Sequence, residues 1–384
     1  MYINELYKYL PINNKIDWEL IQNEILSPFY LKMQNTNQDL RWHKEGNVYN
    51  HTKLVCEQLI SLKDYQELSK KEQLEVFLAC LFHDIGKIVC TKTIDNEITS
   101  PNHAIIGSEM IREYLWKDLE LSGTKEYQNF RETICFLVKY HSNPVHIGMD
   151  EEERNVIKLS INQELASDFN LKLLLIVAKA DVLGRICIDL DYQLEYLAKF
   201  EEICKNLNCF TKPFTFKNTI TKYKYLSGKN IYYLDELYDD SKLEVTMICG
   251  LPGTGKDTFI KNNYNLPVVS LDDIRFEYKL TQNDDQGKVF NIAKEQMKVY
   301  LRKQENFIFN ATNLIQLNRK KIIKLFVDYN AKVKIIFLET TWNENISRNK
   351  NRKKQINPKI IEKMLTSLNT PENYESHIVE WICI

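Results

Sequence analysis

The chain has 384 residues and a mass of 45.5 kDa, which is enough for two domains with separate cores. A content of 44% hydrophobic and 27% charged residues is typical of globular proteins and excludes a chain dominated by disorder. No segment has the length of a transmembrane span and the N-terminus does not resemble a secretory signal, so we expect a cytoplasmic protein without a membrane partner. The nine cysteines are scattered without a C-x-x-C pair, which favours reduced thiols over disulfides or structural zinc.

Charge is distributed unevenly along the chain, although the net charge is only −1. Residues 241–384 have a net charge of +7, from 23 Lys and Arg against 16 Asp and Glu, and the remaining residues have a net charge of −8. This asymmetry supports two domains, of which the basic one is suited to a polyanion. Solvated lysine-rich helix faces produce the same count, so charge alone does not identify the partner.

Residues 48–200 show helical spacing of apolar side chains almost throughout, with breaks near residues 101, 122 and 144. The apolar residues between positions 74 and 82 lead directly into His83 and Asp84. The pattern predicts an all-α domain in which helix ends place polar residues beside an apolar core.

Several polar residues of this region have the chemistry of metal ligands. They are His51, His83, Asp84, His103, His141 and Asp181, with His43 as an outer candidate. An isolated histidine of this kind is more often a satisfied core or surface residue, but the adjacent His-Asp pair favours ligands. Imidazole and carboxylate ligands suit Mn, Fe, Co, Ni or Zn, and two such ions about 3.5 to 4 Å apart can activate a water and clamp a phosphate.

At these residues the sequence resembles the HD phosphohydrolase superfamily, through the ordered set H…HD…H…H…D with HDIGK at the end of an apolar helix. The resemblance implies a metal-dependent phosphatase or phosphodiesterase with two divalent transition-metal ions. One ion would be held by His51, His83, Asp84 and Asp181, and the second by His103, His141 and Asp84.

Two cations follow the predicted ligands by one helical turn or less. Lys87 lies three residues after Asp84, and Arg185 lies four residues after Asp181, on the same helix face. Either side chain would reach a phosphate oxygen on the metal, which makes both candidate catalytic residues. The alternative is that they are solvated surface charges.

Residues 200–242 are rich in aromatic residues and lysine. They form either a connector packed between domains or an aromatic and cationic surface for stacking on bases. Packing is favoured, because Tyr and Phe are frequent throughout the chain. We therefore place the domains at residues 1–235, including this connector, and 236–384.

The second domain begins with an apolar run, residues 245–249, followed by GLPGTGKDT at residues 250–258. The spacing G-x-x-x-x-G-K is that of a phosphate-binding loop, with a helix expected to begin at Lys256. Backbone N–H groups and the helix N-terminus would hold the phosphates of ATP or another nucleoside triphosphate. The candidate nucleotide-binding residues are Gly250, Gly253, Thr254, Gly255, Lys256, Asp257 and Thr258. Asp257 replaces the Ser or Thr that usually binds Mg²⁺.

Three further apolar runs, residues 266–270, 306–309 and 331–338, alternate with helical segments. This order predicts an α/β domain with a parallel sheet and a ligand site at the carboxyl edge of its strands. The helix after the last run is expected to carry Arg348 and Arg352 at positions i and i+4, among Lys350, Lys353 and Lys354. This helix is expected to close as a lid over the triphosphate. Without the phosphate-binding loop upstream, a solvated basic helix would be the preferred interpretation.

In-line phosphoryl transfer requires a carboxylate that accepts the proton of the attacking hydroxyl and cations that neutralise the transferring group. Asp272, at the end of a predicted strand, is placed to be that base. The segments GLPGTGKDT, SLDDIR, ATNL and ISRNKNRKKQI resemble, in this order, the 5′-hydroxyl polynucleotide kinases of the P-loop class.

This second resemblance assigns further roles. Arg275 matches the arginine that holds the phosphate on the 3′ side of the acceptor, and Thr312 and Asn313 match polar residues near the acceptor. Arg348 and Arg352 match the lid arginines, with Arg352 as the direct contact to the transferring phosphate. Ala311 departs from the family, where a carboxylate often stands.

An HD domain followed by such a kinase is similar to the bacterial two-domain HD-Pnk end-healing proteins. The resemblance implies repair of RNA or DNA ends: a kinase that phosphorylates a 5′-OH and an HD site that removes 2′,3′-cyclic, 2′- or 3′-phosphate, with a separate ligase as partner. Two alternatives stay open. One is a nucleotide-metabolising enzyme with a small-molecule kinase, and the other is a nucleotide-gated sensor with degenerate sites.

Overall fold

The computed structural model describes residues 2–95, 97–147, 151–187, 189–280, 286–352 and 355–384. The chain divides into two compact units, Met1–Leu121 with Glu126–Phe214, and Ser122–Lys125 with Thr215–Ile384. The domain boundary expected between residues 235 and 236 stays a prediction. Lys353 and Lys354, which belong to the expected basic helix, lie outside the described residues. None of the described helices combines the length and the apolar composition that are needed to cross a bilayer.

The first unit is helical, as the apolar spacing predicted. Its helices are α1 Ile3–Leu6, α2 Trp18–Asn23, α3 Tyr30–Asn35, α4 Val48–Ser61, α5 Lys63–Gln66, α6 Lys70–Phe82, α7 Lys87–Cys90, α8 His103–Glu113, α9 Lys125–Tyr140, α10 Glu152–Ser160, α11 Leu171–Leu183 and α12 Leu190–Asn206. A small antiparallel hairpin, β1 Lys92–Ile94 with β2 Glu97–Thr99, lies between α7 and α8. The helical periodicity of the sequence does not indicate this hairpin.

Helix α6 passes through the core of the first unit. It begins at a capping box in which Ser69 and Glu72 satisfy each other's backbone N–H groups. Every side chain from Leu74 to Phe82 is buried, which is the pattern of a helix packed on all faces. The helix ends at Phe82, and the His-Asp pair that follows it is still buried in the interior of the unit.

One acidic residue is buried within this apolar stretch of α6. Glu75 is fully buried, and neither of its carboxyl oxygens has a hydrogen-bond partner among the described residues. Burial therefore raises the pKa of Glu75 well above its ordinary value of 4.5. The folded state binds this proton more tightly than the unfolded chain, so stability declines as the pH rises from about 4.5 through the higher pKa of the folded state.

Replacing Glu75 with methionine, which has a similar volume, is expected to raise the free energy of unfolding at pH 8 by about 1 to 3 kcal/mol. The gain should shrink at pH 5, where less of the wild-type carboxyl is ionised. Urea unfolding of the full chain at the two pH values measures both effects. Glu57→Met, at an exposed position of α4, is the matched control. Equal stability of Glu75→Met and wild type at both pH values would contradict the prediction.

The second unit is an α/β domain. Its strands are β3 Leu243–Cys249, β4 Val268–Ser270, β5 Phe307–Asn310, β6 Ala331–Glu339 and β7 Ile378–Cys383. Its helices are α13 Thr219–Leu226, α14 Lys256–Asn263, α15 Leu271–Glu277, α16 Gln286–Lys303, α17 Gln316–Asp328, α18 Trp342–Lys350 and α19 Pro358–Thr366. Within the described residues the five strands form one parallel sheet in the order β4-β5-β3-β6-β7. The ends of the four predicted strands are confirmed to within two residues, and β7 is a strand that was not predicted.

Strand β3 lies in the middle of this sheet, and its neighbours β5 and β6 both follow it in the chain. Residues Ile248, Ile308 and Ile336 of these three strands pack with Ile260 of α14 in one apolar cluster. The loop between β3 and α14 therefore lies at the carboxyl edge of the sheet, at the point where the strand order reverses. Ligands bind at this position in open α/β sheets.

Helix α13 lies in the aromatic and lysine-rich segment and packs within the second unit. Lys222 is buried and donates a hydrogen bond to Asn373 Oδ1 at 2.8 Å. The Tyr223 ring stacks on His377 with ring centroids 4.3 Å apart. This helix is therefore a packed structural element of the second unit.

Candidate functional site

The predicted metal ligands of the first unit converge in its interior. His51 lies in the first turn of α4, His83 and Asp84 follow α6, and His103 begins α8. The remaining two are His141, directly after α9, and Asp181, in the last turn of α11. Five of these side chains are at most 2% exposed, and the exception is His103, at 24%. Ligands spread over 130 residues of sequence thus share one buried site.

The six side chains form two adjacent groups that could each hold a metal ion, namely His51, His83 and Asp181, and Asp84, His103 and His141. The carboxylate of Asp84 lies between them. Its Oδ2 is 3.6 Å from His51 Nε2 and 3.4 Å from His83 Nε2. Its Oδ1 is 3.3 Å from His103 Nε2 and 4.0 Å from His141 Nε2. Asp84 is therefore placed between the two groups, where a carboxylate could contact an ion in each.

The electrostatics of the site suit cation binding. Burial lowers the pKa of His141 to about 3, so its imidazole is neutral and can donate a lone pair. Burial alone would raise the pKa of Asp84, but Lys87 and His83 hold that pKa well below its ordinary value. His83 Nε2 is buried without a hydrogen-bond partner in the part of the chain that the structure describes. A divalent ion would satisfy this nitrogen, so the residues fit a metal centre.

The two predicted phosphate-binding cations lie against the metal-ligand carboxylates. Lys87 Nζ is 2.7 Å from Asp84 Oδ2 and also donates to Gln38 Oε1 at 2.5 Å. Arg185 forms a two-bond ion pair with Asp181. Neither cation is a freely solvated surface charge, because both are mostly buried.

In the second unit, the loop between β3 and α14 borders a cavity of about 610 Å³. Gly250 and Gly253 have φ angles of +147° and +86°, which favour glycine. A Cβ at Gly250 would lie 2.6 Å from Leu338 O, and one at Gly253 would lie 2.5 Å from Asn345 O. The glycines therefore allow the loop to turn tightly against the neighbouring backbone.

Lys256 is the first residue of α14 and its side chain folds over the loop. Its Nζ donates to the backbone carbonyls of Gly250 at 3.0 Å and Leu251 at 2.8 Å. Burial lowers the pKa of Lys256 to about 8, although Asp257 and Asp272 oppose this shift. The ammonium is therefore held at the cavity wall, where an anionic phosphate would stabilise its charged form.

Residues that are far apart in the sequence line the same cavity. They include Asp257, Thr258, Asp272, Arg275, Thr312, Arg348 and Arg352. Both Arg275 and Arg352 approach the Asp272 carboxylate, with Arg275 Nη1 2.7 Å from Oδ1 and Arg352 Nη2 3.5 Å from Oδ2. The cavity thus combines a phosphate loop, a carboxylate and cations, which are the groups that phosphoryl transfer needs.

Two family models match the chain. A model described as an HD domain matches residues 48–186, and a model described as an AAA domain matches residues 245–371. The chain carries an HD domain followed by an AAA-type P-loop domain. No curated protein matches the chain. The protein therefore combines a metal-dependent phosphohydrolase domain with a P-loop NTPase or kinase domain.

Some predicted residues of the P-loop domain do not line its cavity. Thr254 is fully buried and its hydroxyl donates to Leu251 O at 2.9 Å. Asn313 donates through Nδ2 to Ile248 O at 2.8 Å, so it braces the loop after β5. Gly250 shapes the turn but is not among the residues that line the cavity. These three residues contribute to loop geometry in the structure.

The expected lid helix requires a correction. Helix α18 ends at Lys350, so Arg348 is helical but Arg352 lies in the turn beyond it. Arg348 donates to Thr254 O at 3.3 Å and pairs with Glu344, whereas Arg352 faces Asp272. The two arginines are thus not on one helix face, because the helix is too short.

Asp257 has a partner that the sequence does not indicate. Asn310, the last residue of β5, donates through Nδ2 to Asp257 Oδ1 at 2.8 Å. Asn310 is 7% exposed, and its Oδ1 has no partner within the described residues. A carboxylate and an amide oxygen at a phosphate-binding cavity are hard ligands of the kind that Mg²⁺ prefers, so these residues fit a magnesium ion.

Residues before the matched HD region also contact the metal centre. Gln38 bonds to Lys87, and Glu45 lies between His43 and His51. The one sequence signal in this segment was His43, two residues before Glu45, and it did not identify either Gln38 or Glu45. The segment that holds them is joined by a bridge between Asn37 and Asn47.

Proposed function

We propose that this protein heals nucleic acid ends with two activities. The P-loop domain would transfer the γ-phosphate of a nucleoside triphosphate to a 5′-OH polynucleotide end. The HD domain would remove 2′,3′-cyclic, 2′- or 3′-phosphate from the opposite end. The observation that carries the kinase proposal is the location of Asp272 and Arg275 in the same cavity as the phosphate loop.

In the kinase reaction, Lys256 and the loop N–H groups would bind the outer phosphates of the donor. Asp272 would accept the proton of the attacking 5′-hydroxyl, and Arg352 would neutralise charge on the transferring phosphoryl group. A magnesium ion, when bound beside Asp257 and Asn310, would neutralise charge on the β- and γ-phosphates. Arg275 would hold the phosphate on the 3′ side of the acceptor nucleotide.

In the HD domain, the four histidines and two aspartates would hold two divalent ions. These ions, when bound, would supply the activated water and polarise the phosphate. Lys87 and Arg185 would move from their carboxylate partners toward phosphate oxygens, because ions at the site would neutralise Asp84 and Asp181. We place the reaction in the cytoplasm, with a separate ligase joining the healed ends.

The kinase proposal is tested with purified full-length protein, labelled ATP, Mg²⁺ and 5′-OH oligonucleotides of RNA and of DNA. Transfer of label to an oligonucleotide supports the proposal. Transfer to a free nucleoside but to neither oligonucleotide would favour a small-molecule kinase. Absence of transfer with any divalent metal would rule out both kinases and favour a binding module.

Arg275→Ala is expected to raise the KM for oligonucleotides by about 10- to 100-fold, since a charge-assisted hydrogen bond contributes about 1.5 to 3 kcal/mol. The KM for a nucleoside acceptor, which has no phosphate on its 3′ side, should not change. Steady-state kinetics with the two acceptors measures the difference. Arg302→Ala, at an exposed position of α16, is the control. If Arg275→Ala phosphorylates oligonucleotides as well as wild type does, the proposal of a polynucleotide acceptor is wrong.

A further inference from the structure

All four histidines of the metal centre present Nε2 to the aspartates. Three of them are fixed in that orientation by a backbone carbonyl three residues earlier. These contacts are His83 Nδ1 to Cys80 O at 2.8 Å, His103 Nδ1 to Ser100 O at 3.0 Å and His141 Nδ1 to Val138 O at 2.7 Å. A carbonyl only accepts, so Nδ1 carries the proton and Nε2 keeps its lone pair for a metal.

His51 is oriented differently. It lies in the first turn of α4, and among the described residues its Nδ1 has no hydrogen bond to a backbone carbonyl. A neighbouring side chain is therefore the group that can orient this ring.

Glu45 is in position to supply that orientation. Its Oε1 is 2.8 Å from His51 Nδ1, and the carboxylate is 2% exposed. The Glu45 carboxylate is thus within ion-pairing distance of this nitrogen, although the contact does not meet the geometry of a hydrogen bond. On the other side of the ring, Nε2 is 3.0 Å from Asp181 Oδ1.

The Glu45 side chain is itself held in place by neighbours. His43 Nδ1 is 2.9 Å from Glu45 Oε1, and the backbone N–H of Ile186 donates to Oε2 at 3.3 Å. Asn50 Nδ2 donates to the Glu45 carbonyl at 3.1 Å. The carboxylate is thus fixed beside His51 by groups from both ends of the HD domain.

We propose that Glu45 is a positioning residue that orients His51 as a metal ligand. The proposal rests on metal binding by the HD domain, which is part of the proposed function. A carboxylate at Nδ1 keeps the proton on that nitrogen and makes Nε2 a stronger donor, and such partners typically change metal affinity by about 10- to 100-fold. The metal centre therefore extends beyond residues 48–186 into the preceding segment.

The test is Mn²⁺ binding by full-length protein, measured by calorimetry and by electron paramagnetic resonance. Asp84→Ala identifies which binding events belong to the HD domain. We expect affinity at this site to fall about tenfold in Glu45→Gln, which loses only the charge, and by up to about 100-fold in Glu45→Ala. Glu57→Gln, at an exposed position of the helix that carries His51, should bind as wild type does.

Cobalt-substituted protein adds a readout that a purely structural role would not change. The visible spectrum of Co²⁺ in Glu45→Gln should differ from that of wild type, because the coordination of one imidazole changes. Thermal unfolding of the metal-free proteins shows whether each variant folds. If Glu45→Ala does not fold, the comparison of Glu45→Gln with wild type tests the positioning role.

The outcomes separate the inference from the function on which it rests. Wild-type affinity and an unchanged Co²⁺ spectrum in both folded Glu45 variants would overturn the positioning role alone. Failure of wild type to bind any divalent ion at the HD site would overturn the proposed phosphohydrolase activity as well. Weaker binding with a changed spectrum supports the inference.

Discussion

Asp84→Ala is expected to abolish phosphate release from 2′,3′-cyclic and 2′-phosphate ends while leaving the 5′-kinase active. The reason is geometric, since among the described residues the Asp84 carboxylate lies within 4.0 Å of the Nε2 atoms of all four histidines. Its removal takes a ligand from both predicted ions. Metal centres contribute several kcal/mol of transition-state stabilisation, so the rate should fall by on the order of 10³-fold or more.

The measurement is release of inorganic phosphate from defined oligonucleotide ends, together with label transfer in the kinase assay. Asp191→Ala, at an exposed position of α12, is the matched control and should retain both activities. Metal content of the purified proteins should fall only in Asp84→Ala. Loss of the kinase together with the phosphohydrolase would mean that the two activities depend on each other.

Asp272→Asn is expected to lower the kinase turnover by about 10² to 10⁴-fold, which is the usual contribution of a general base. The amide has nearly the same shape but cannot accept the proton of the 5′-hydroxyl. Nucleotide affinity should change little, because the phosphate loop and Lys256 are intact. Phosphate release by the HD domain should be unchanged.

The adjacent Asp273 offers a close control for this prediction. Asp273 is also exposed and on the same helix, but it is not among the residues that line the cavity. Asp273→Asn should therefore retain the kinase. Turnover and the dissociation constant for ATP are measured for both variants. If Asp273→Asn loses turnover and Asp272→Asn does not, the general base has been assigned to the wrong aspartate.

Much of the chemistry was predictable because it is encoded locally. The loop at residues 250–258 needs its glycines at fixed spacing, and the structure bears this out through the positive φ angles of Gly250 and Gly253. The pair His83 and Asp84 follows an apolar helix that is recognisable from spacing alone. Where short-range spacing specifies the geometry, a single sequence is sufficient.

Other features depend on contacts between distant segments. Asn310 meets Asp257 across 53 positions only because β5 pairs with β3 in the parallel sheet. Arg319 is fully buried and braces the loop after β5 by donating to the carbonyls of Asn313 and Leu314. Neither residue belongs to a motif with regular spacing, so neither was predicted.

Local sequence patterns were enough to predict the order of an all-α and an α/β domain, the six metal-ligand candidates and the phosphate loop. The position of Asp84 between two ligand groups and that of Arg352 beyond α18 became evident from the folded chain. The same holds for the bracing of loops by Thr254 and Asn313 and for the place of Glu45 beside His51. Periodicity and turn chemistry act over only a few residues. The partner of a buried polar group is set by chain packing, which brings together positions that no local pattern connects.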